Sequence, residues 1–253
     1  PPNRGGAPPR RGPPLQFWAE ALADLPDELA LPRDRPRRPS GLGPAATETA
    51  VVDADTRAAL AQLATAHAAS MFMVTQAAVA LLLHRSGAGD DIPLGSPVSG
   101  RNDPALDDLV GFFVDTQVLR TDVSGHPTFG ELVDRVRAVD LAAFDNQDIP
   151  FQQIVEHCAP PRVPGRNPLF QVSVGYLPLG AVPDRFLGIP ATFEHLTSAS
   201  AKFDLAFTVV DNTESGELTV ALEYATEMFD ATTAHDLLAR LVRILRTVAT
   251  TPD

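Results

Sequence analysis

Proton transfer, thiol attack and metal binding begin with a short roll of side chains, and in these 253 residues the roll is thin. The histidines His67, His84, His126, His157, His195 and His235 are scattered, and none is followed four residues later by an aspartate. An imidazole titrates near neutral pH and can act as a general base, but only where a partner orients it beside a reacting group. Without such a local partner each is expected at the surface or in a satisfied structural role. Cys158 stands at the end of a predicted helix, away from the N-terminal dipole that lowers a thiol pKa, so packing is its expected role. A single cysteine excludes an intramolecular disulfide and a multi-cysteine zinc site. The acidic pair Asp107-Asp108 has no cluster of further ligands near it, so a solvated loop is expected and no metal site is predicted. Phosphate-loop, dinucleotide-binding, HExxH and GxSxG strings are all missing.

The elements that would hold any site follow from apolar spacing. Residues 1–14 (PPNRGGAPPRRGPP) bury no apolar surface and are predicted to be a disordered or extended leader. Leu15, Trp18, Leu22 and Leu25 recur at helical spacing, and residues 31–44 form a Pro-rich strap with an extended path. Residues 15–48 are thus read as linker helix and strap, and 49–253 as the main lobe. A strand is predicted over 50–52, then a helix opening after Asp53 or Asp55, with Asp55 a candidate cap. Ser70 is a candidate cap for a helix over 71–85, which is apolar on most sides and therefore expected to be buried. Further strands are predicted over 91–98, 110–120, 169–176, 191–196, 203–210 and 218–224. Helices are predicted over 128–145, 151–157 and 231–248, the last with Asp230 as N-cap. Strands and helices so interspersed make an α/β fold with a mixed sheet.

The formal charge of −12 argues against nucleic acid and against an anionic membrane surface as partners. The one basic run, Arg33-Asp34-Arg35-Pro36-Arg37-Arg38, is either solvated or a contact for an acidic partner. No apolar run approaches the roughly 18 residues of a spanning helix, and residues 1–14 lack the apolar core of a secretion signal. A cytoplasmic setting is expected.

Longer strings carry a resemblance. Residues 109–120 (LVGFFVDTQVLR) resemble the GxFVNTxxxR motif of the condensation domains of non-ribosomal peptide synthetases. Residues 146–152 (NQDIPFQ) resemble (H/N)QDxPFE, and 162–172 (RVPGRNPLFQV) resemble RxxxxxPLFQV, in that family's order. FWAEALADLPDELALPRDRPRRP from Phe17, GSPVSGR from Gly95, KFDL from Lys202 and YATEMFD from Tyr224 are similar to its linker and supporting strings. Asp115 stands where the family has Asn, and Gln152 where it has Glu.

The resemblance implies a chloramphenicol-acetyltransferase-like lobe, the C-terminal half of a two-lobed enzyme that joins carrier-bound substrates by an amide bond. No cofactor is expected to bind directly; the substrates would arrive on phosphopantetheine arms of peptidyl or acyl carrier proteins. The expected partners are those carriers, an N-terminal condensation lobe and adjacent synthetase domains. The HHxxxDG motif belongs to that N-terminal lobe and is not in this chain, so the chain is expected to be inactive alone. The alternatives are a non-catalytic module that recruits a carrier or tailoring enzyme, an epimerisation-domain lobe, and an acyltransferase for a soluble thioester.

Individual residues then take expected places. Strand alternation groups Phe113, Asp115 and Gln117 opposite Phe112, Val114, Thr116 and Val118, making Asp115 and Gln117 candidates for a tunnel face or for an ordinary half-buried strand. Arg101 is either a buried-pair or carrier-facing cation, or an exposed loop charge. Gln147 and Asp148 precede a helix that Pro150 starts, with Asp148 as cap and Phe151 packed below. Asn167-Pro168 signals a turn before a strand. Lys202 and Asp204, two apart on one strand face, pair, line a latch across to the other lobe, or form a solvated edge.

Overall fold

The computed structural model describes residues 14–101, 103–180, 185–186, 189–190 and 199–251. Helix α1 (Pro14–Ala21) is followed by the strap and by strand β1 (Ala45–Val52). Helices α2 (Ala54–Ala66) and α3 (Met71–Arg85) come next, then β2 (Asp91–Val98), a short 3-10 turn (Pro104–Leu106) and β3 (Asp115–Asp122). Helices α4 (Phe129–Phe144) and α5 (Phe151–Cys158) lead to β4 (Val172–Leu179) and the two-residue strands β5 (Arg185–Phe186) and β6 (Ile189–Pro190). Strands β7 (Leu205–Asn212) and β8 (Leu218–Ala225) and helix α6 (Ala231–Thr250) complete the chain.

Local chemistry sets most helix starts. Asp53, rather than Asp55, accepts the Thr56 amide at 2.9 Å and opens α2. Ser70 Oγ accepts from Met73 N at 3.2 Å, and Thr128 and Glu131 exchange a reciprocal pair of bonds at the head of α4. Helix α6 differs. Asp230 makes no side-chain cap bond; instead Asp34, in the strap, accepts from the Asp230 amide at 2.7 Å and from Thr233 Oγ1 at 2.9 Å.

The main sheet runs β1-β8-β7-β4-β2-β3, with β2, β4 and β7 parallel and the remaining neighbours antiparallel. This is the mixed-sheet α/β fold the sequence implies. The main core joins α2, α3, α4 and α6 to inward strand residues such as Ile92, Leu94, Val172, Phe207 and Leu222. Residues 73–80 of α3 are buried on every side, as its all-round apolarity predicts. A smaller core gathers Trp18, Leu22, Val118, Ile154 and Phe170, docking α1 and α5.

Several strand starts depart from expectation. Strand β1 begins at Ala45, inside the predicted strap, because it pairs with β8 along its whole length. Strand β3 begins at Asp115 rather than 110, since Val98↔Asp115 is where pairing with β2 ends. Strand β4 starts at Val172 rather than 169, after Leu169 takes a left-handed φ of 68°. The predicted strand 191–196 and the leader 1–13 lie outside the described residues. Among the described residues no single helix is long and apolar enough to cross a membrane.

Candidate functional site

Because β2, β4 and β7 are parallel, their C-terminal ends share one end of the sheet, and antiparallel β3 starts there. Loop 99–114 leaves from this end. Gly100 has φ +64°, and a Cβ there would lie 1.9 Å from the Phe113 carbonyl oxygen, so only glycine fits the turn. Arg101 folds back on its own loop. Its guanidinium donates to the Leu106 carbonyl and to that of Leu109 at 2.8 Å, and lies 4.3 Å over the Phe113 ring. Thus braced, the loop turns its apolar residues outward: Val110 is 104% exposed, Phe112 91%, and Leu109 and Val114 about half. The alternation expected over 110–114 therefore does not form, and these side chains are a surface rather than a core face.

Asp115 sits where the loop enters β3. It accepts the Thr116 amide at 2.8 Å and the Phe151 amide at 3.3 Å, placing its carboxylate on the N-terminus of α5. Asp148, the cap expected from sequence, lies exposed two residues before Pro150, which is the N-cap residue. Gln117 points inward, buried, donating to the Ala143 carbonyl at 3.4 Å. Gln147 continues the end of α4, its amide donating to the Phe144 carbonyl at 3.3 Å.

The remaining strings meet in one knot. Phe151 and Phe170 rings are 5.7 Å apart, and Phe170 and Phe203 5.5 Å apart. Phe170 lies so close over Gly95 that a Cβ there would be 2.0 Å from the ring. Asn167 Nδ2 donates to the Lys202 carbonyl at 2.6 Å, Pro168 O accepts the Phe170 amide at 2.9 Å, and Gln171 Oε1 accepts the Leu29 amide at 3.0 Å. Strings distant in sequence thus lock α1, the strap and α5 onto the sheet.

Lys202 and Asp204 do not share a strand face, because β7 begins only at Leu205. Lys202 is exposed, whereas Asp204 is fully buried and grips Arg37 of the strap through a two-pronged contact, one bond of which is 2.7 Å. Burial pushes the Asp204 carboxyl up and the Arg37 guanidinium pulls it back. Arg33 meets Glu28 at 2.7 Å and Arg35 meets Asp230 at 2.6 Å, so these strap arginines act as internal staples.

Among the described residues the histidines place no imidazole at this end of the molecule. His67 pairs with Asp134 at 2.9 Å, His84 with Asp90 at 3.0 Å and His235 with Glu48 at 3.6 Å, all away from loop 99–114. His126 and His157 are exposed, and His195 lies outside the described residues. Burial raises the Cys158 thiol, against a nucleophilic role. No cluster of three metal-ligating side chains occurs among the described residues. The arrangement is a braced apolar platform. Sequence reasoning missed Leu109, Val110 and Phe112 as surface, although the Asn-Asp-Pro and Asp-Asp signals before them already marked a loop.

A family model described as Condensation domain matches residues 13–253. The chain is 45% identical over 249 residues to a dimodular nonribosomal peptide synthase of Bacillus subtilis, covering 94% of this chain and 10% of that protein. It is 37% identical over 246 residues to an isonitrile lipopeptide synthase of Mycobacterium tuberculosis, again covering 94% and 10%. Among solved structures it is similar to the X-domain in a complex of the X-domain and OxyB from teicoplanin biosynthesis. That match has 34% identity and a TM-score of 0.86 over 94% of this chain and 53% of that one. A four-domain nonribosomal peptide synthetase bound to AMP and glycine, at 23% identity and TM-score 0.87, covers 95% of this chain and 19% of that one and supports the fold alone. The chain therefore spans about a tenth of these curated relatives and about half of the X-domain chain.

Proposed function

The chain belongs to the condensation-domain family, and from that premise we propose that it is the C-terminal lobe of a unit that forms peptide bonds between carrier-bound substrates. In that reaction an amine on one carrier attacks the thioester carbonyl on the other. The C–N bond forms, the C–S bond breaks, the phosphopantetheine thiol leaves, and the amine proton passes to a base. The HHxxxDG string is not among these residues, so the base comes from an N-terminal lobe and this lobe supplies wall and floor.

The observation that carries the reading is the apolar crest of loop 99–114, with Val110 and Phe112 almost wholly in water. A folded lobe gains nothing from holding such a cluster outward unless another surface covers it. Its brace, Arg101, spends its hydrogen bonds on keeping that loop presented. Carrier proteins and adjacent synthetase domains are the further partners this reading requires.

One wall cannot hold two thioester arms at attack distance, so the proximity that drives aminolysis is lost in this chain by itself. The test combines the chain with two loaded carrier proteins, with and without a separately expressed N-terminal lobe bearing HHxxxDG. Product is expected only when both lobes are present. Turnover by the chain alone, above the uncatalysed level, overturns the reading.

A second reading is a module that recruits a partner without chemistry. The 34% identity to an X-domain solved in complex with OxyB favours it, as does Asp115 in place of the family's Asn. Tight binding without turnover, even after the N-terminal lobe is added, selects this second reading.

A further inference from the structure

Among the described residues of this acidic chain, most arginines are spoken for. Arg57 meets Asp211 at 2.9 Å, Arg120 meets Asp91 at 2.7 Å, and the buried strap arginine is held by Asp204 and Glu28. Helix α6 bears several that are held loosely or not at all. Arg240, Arg243 and Arg246 project from it at intervals of three, all exposed, and Arg85 at the end of α3 stands near them. The guanidinium groups of Arg85, Arg240 and Arg243 have no partner among the described residues. Arg246 reaches Asp53 only at 3.8 Å, with both side chains more than half exposed. Like charges at this spacing repel one another along a helix.

These arginines rim two hollows that share Arg243 and Thr247. One, of about 700 Å³, lies between α6 and edge strand β1 and is floored by Ala50, Leu238 and Val242. The other, of about 340 Å³, lies between α6 and the end of α3 and is floored by Leu81, Ile244 and Val248. Apolar floors under arginine rims have the composition of a protein–protein interface, in which arginine is enriched and lysine depleted. A polyphosphate backbone would have no use for the floors, and an isologous contact with a second copy would set arginine against arginine.

We propose that the outer face of α6 docks an acidic amphipathic helix of a partner protein. Its carboxylates meet Arg240, Arg243, Arg246 and Arg85, and its apolar side chains seat in the two hollows. The proposal does not depend on which lobe function the chain performs.

The probe is a labelled synthetic helix of about 18 residues, with glutamates flanking a leucine stripe, titrated with the intact chain by fluorescence anisotropy. A twin peptide carries glutamine for every glutamate. The acidic helix is expected to bind, and to bind about tenfold or more weakly at high salt, as charge pairing at a rim requires. The twin is expected to lose about tenfold or more, and so is the chain carrying Arg240→Gln, Arg243→Gln and Arg246→Gln with an unchanged circular dichroism spectrum. No binding, equal binding of the twin, or indifference to the triple substitution overturns the proposal. So does equal displacement by a short oligonucleotide, which would mean a general anion patch. Self-association of the chain that the triple substitution abolishes would name a second copy as the occupant and also overturns it.

Discussion

Asp140 on α4 is an acid of a predicted helix that the fold takes entirely out of water. It is wholly buried between α3, α4 and β3, accepting one bond from Gln76 Nε2 at 3.0 Å, while Gln76 also lies 3.5 Å from Thr121. Its second oxygen, Gln76 Oε1 and Gln117 Oε1 have no partner among the described residues. Burial pushes the carboxyl up to about 7, the Gln76 bond pulls the other way, and no charged neighbour contributes. A carboxyl raised on folding adds stability at low pH, and that stability is lost as pH rises toward the folded value. The full effect is roughly 4 kcal/mol between the ordinary aspartate range and about pH 7. Asp140→Asn should therefore flatten the fall in stability between acid and neutral pH. Urea midpoints at several pH values give the difference curve, and identical slopes in both proteins would refute the assignment.

At the scale of elements, the strap is held by residues far away in sequence. Arg37→Ala leaves Asp204 buried without its cation, and a loss of about 3–5 kcal/mol is expected. Arg33→Ala, which breaks a partly exposed pair, should cost within about 1 kcal/mol. Thermal melts of the two variants decide it, and equal losses would mean the strap is not pinned where the geometry places it. The same contrast explains what was legible beforehand. The caps at Asp53, Ser70 and Thr128 act within three residues, yet of these sequence names only Ser70 as a cap, with Asp55 standing in for Asp53 and Thr128 going unnamed. Asp34 capping α6, Asp115 on α5 and Arg37 with Asp204 join positions brought together only by the fold. Among the described residues apolar spacing found each α-helix and the six strands of the main sheet, and it missed the two-residue strands β5 and β6. It failed at 110–114 because apolarity there means a surface awaiting cover, and a β-rich run reads the same either way. The motif strings identified the family, yet their contacts proved to be mostly clamps.

For the whole molecule, the unevenness of its surface is the guide. Val110→Ser with Phe112→Ser removes two side chains that touch little of their own lobe, so folding stability should change by no more than about 0.5 kcal/mol. Affinity for an N-terminal lobe, read by calorimetry, should fall about tenfold or more if that crest is where the lobes meet. A loss of stability with unchanged affinity would instead make the crest an internal support.

Strand β1 pairs with β8 from Ala45↔Ala225 to Val52↔Leu218, so the first and last strands of the main sheet are neighbours. On a ribosome adding about 5–20 residues per second, β1 emerges on the order of ten to forty seconds before its mate. Throughout that wait it is an open edge beside other nascent chains, the situation in which strands aggregate. Thr47, Glu48 and Thr49 in its middle give the waiting segment a polar, charged character, so solubility during synthesis falls to the strand that must wait longest.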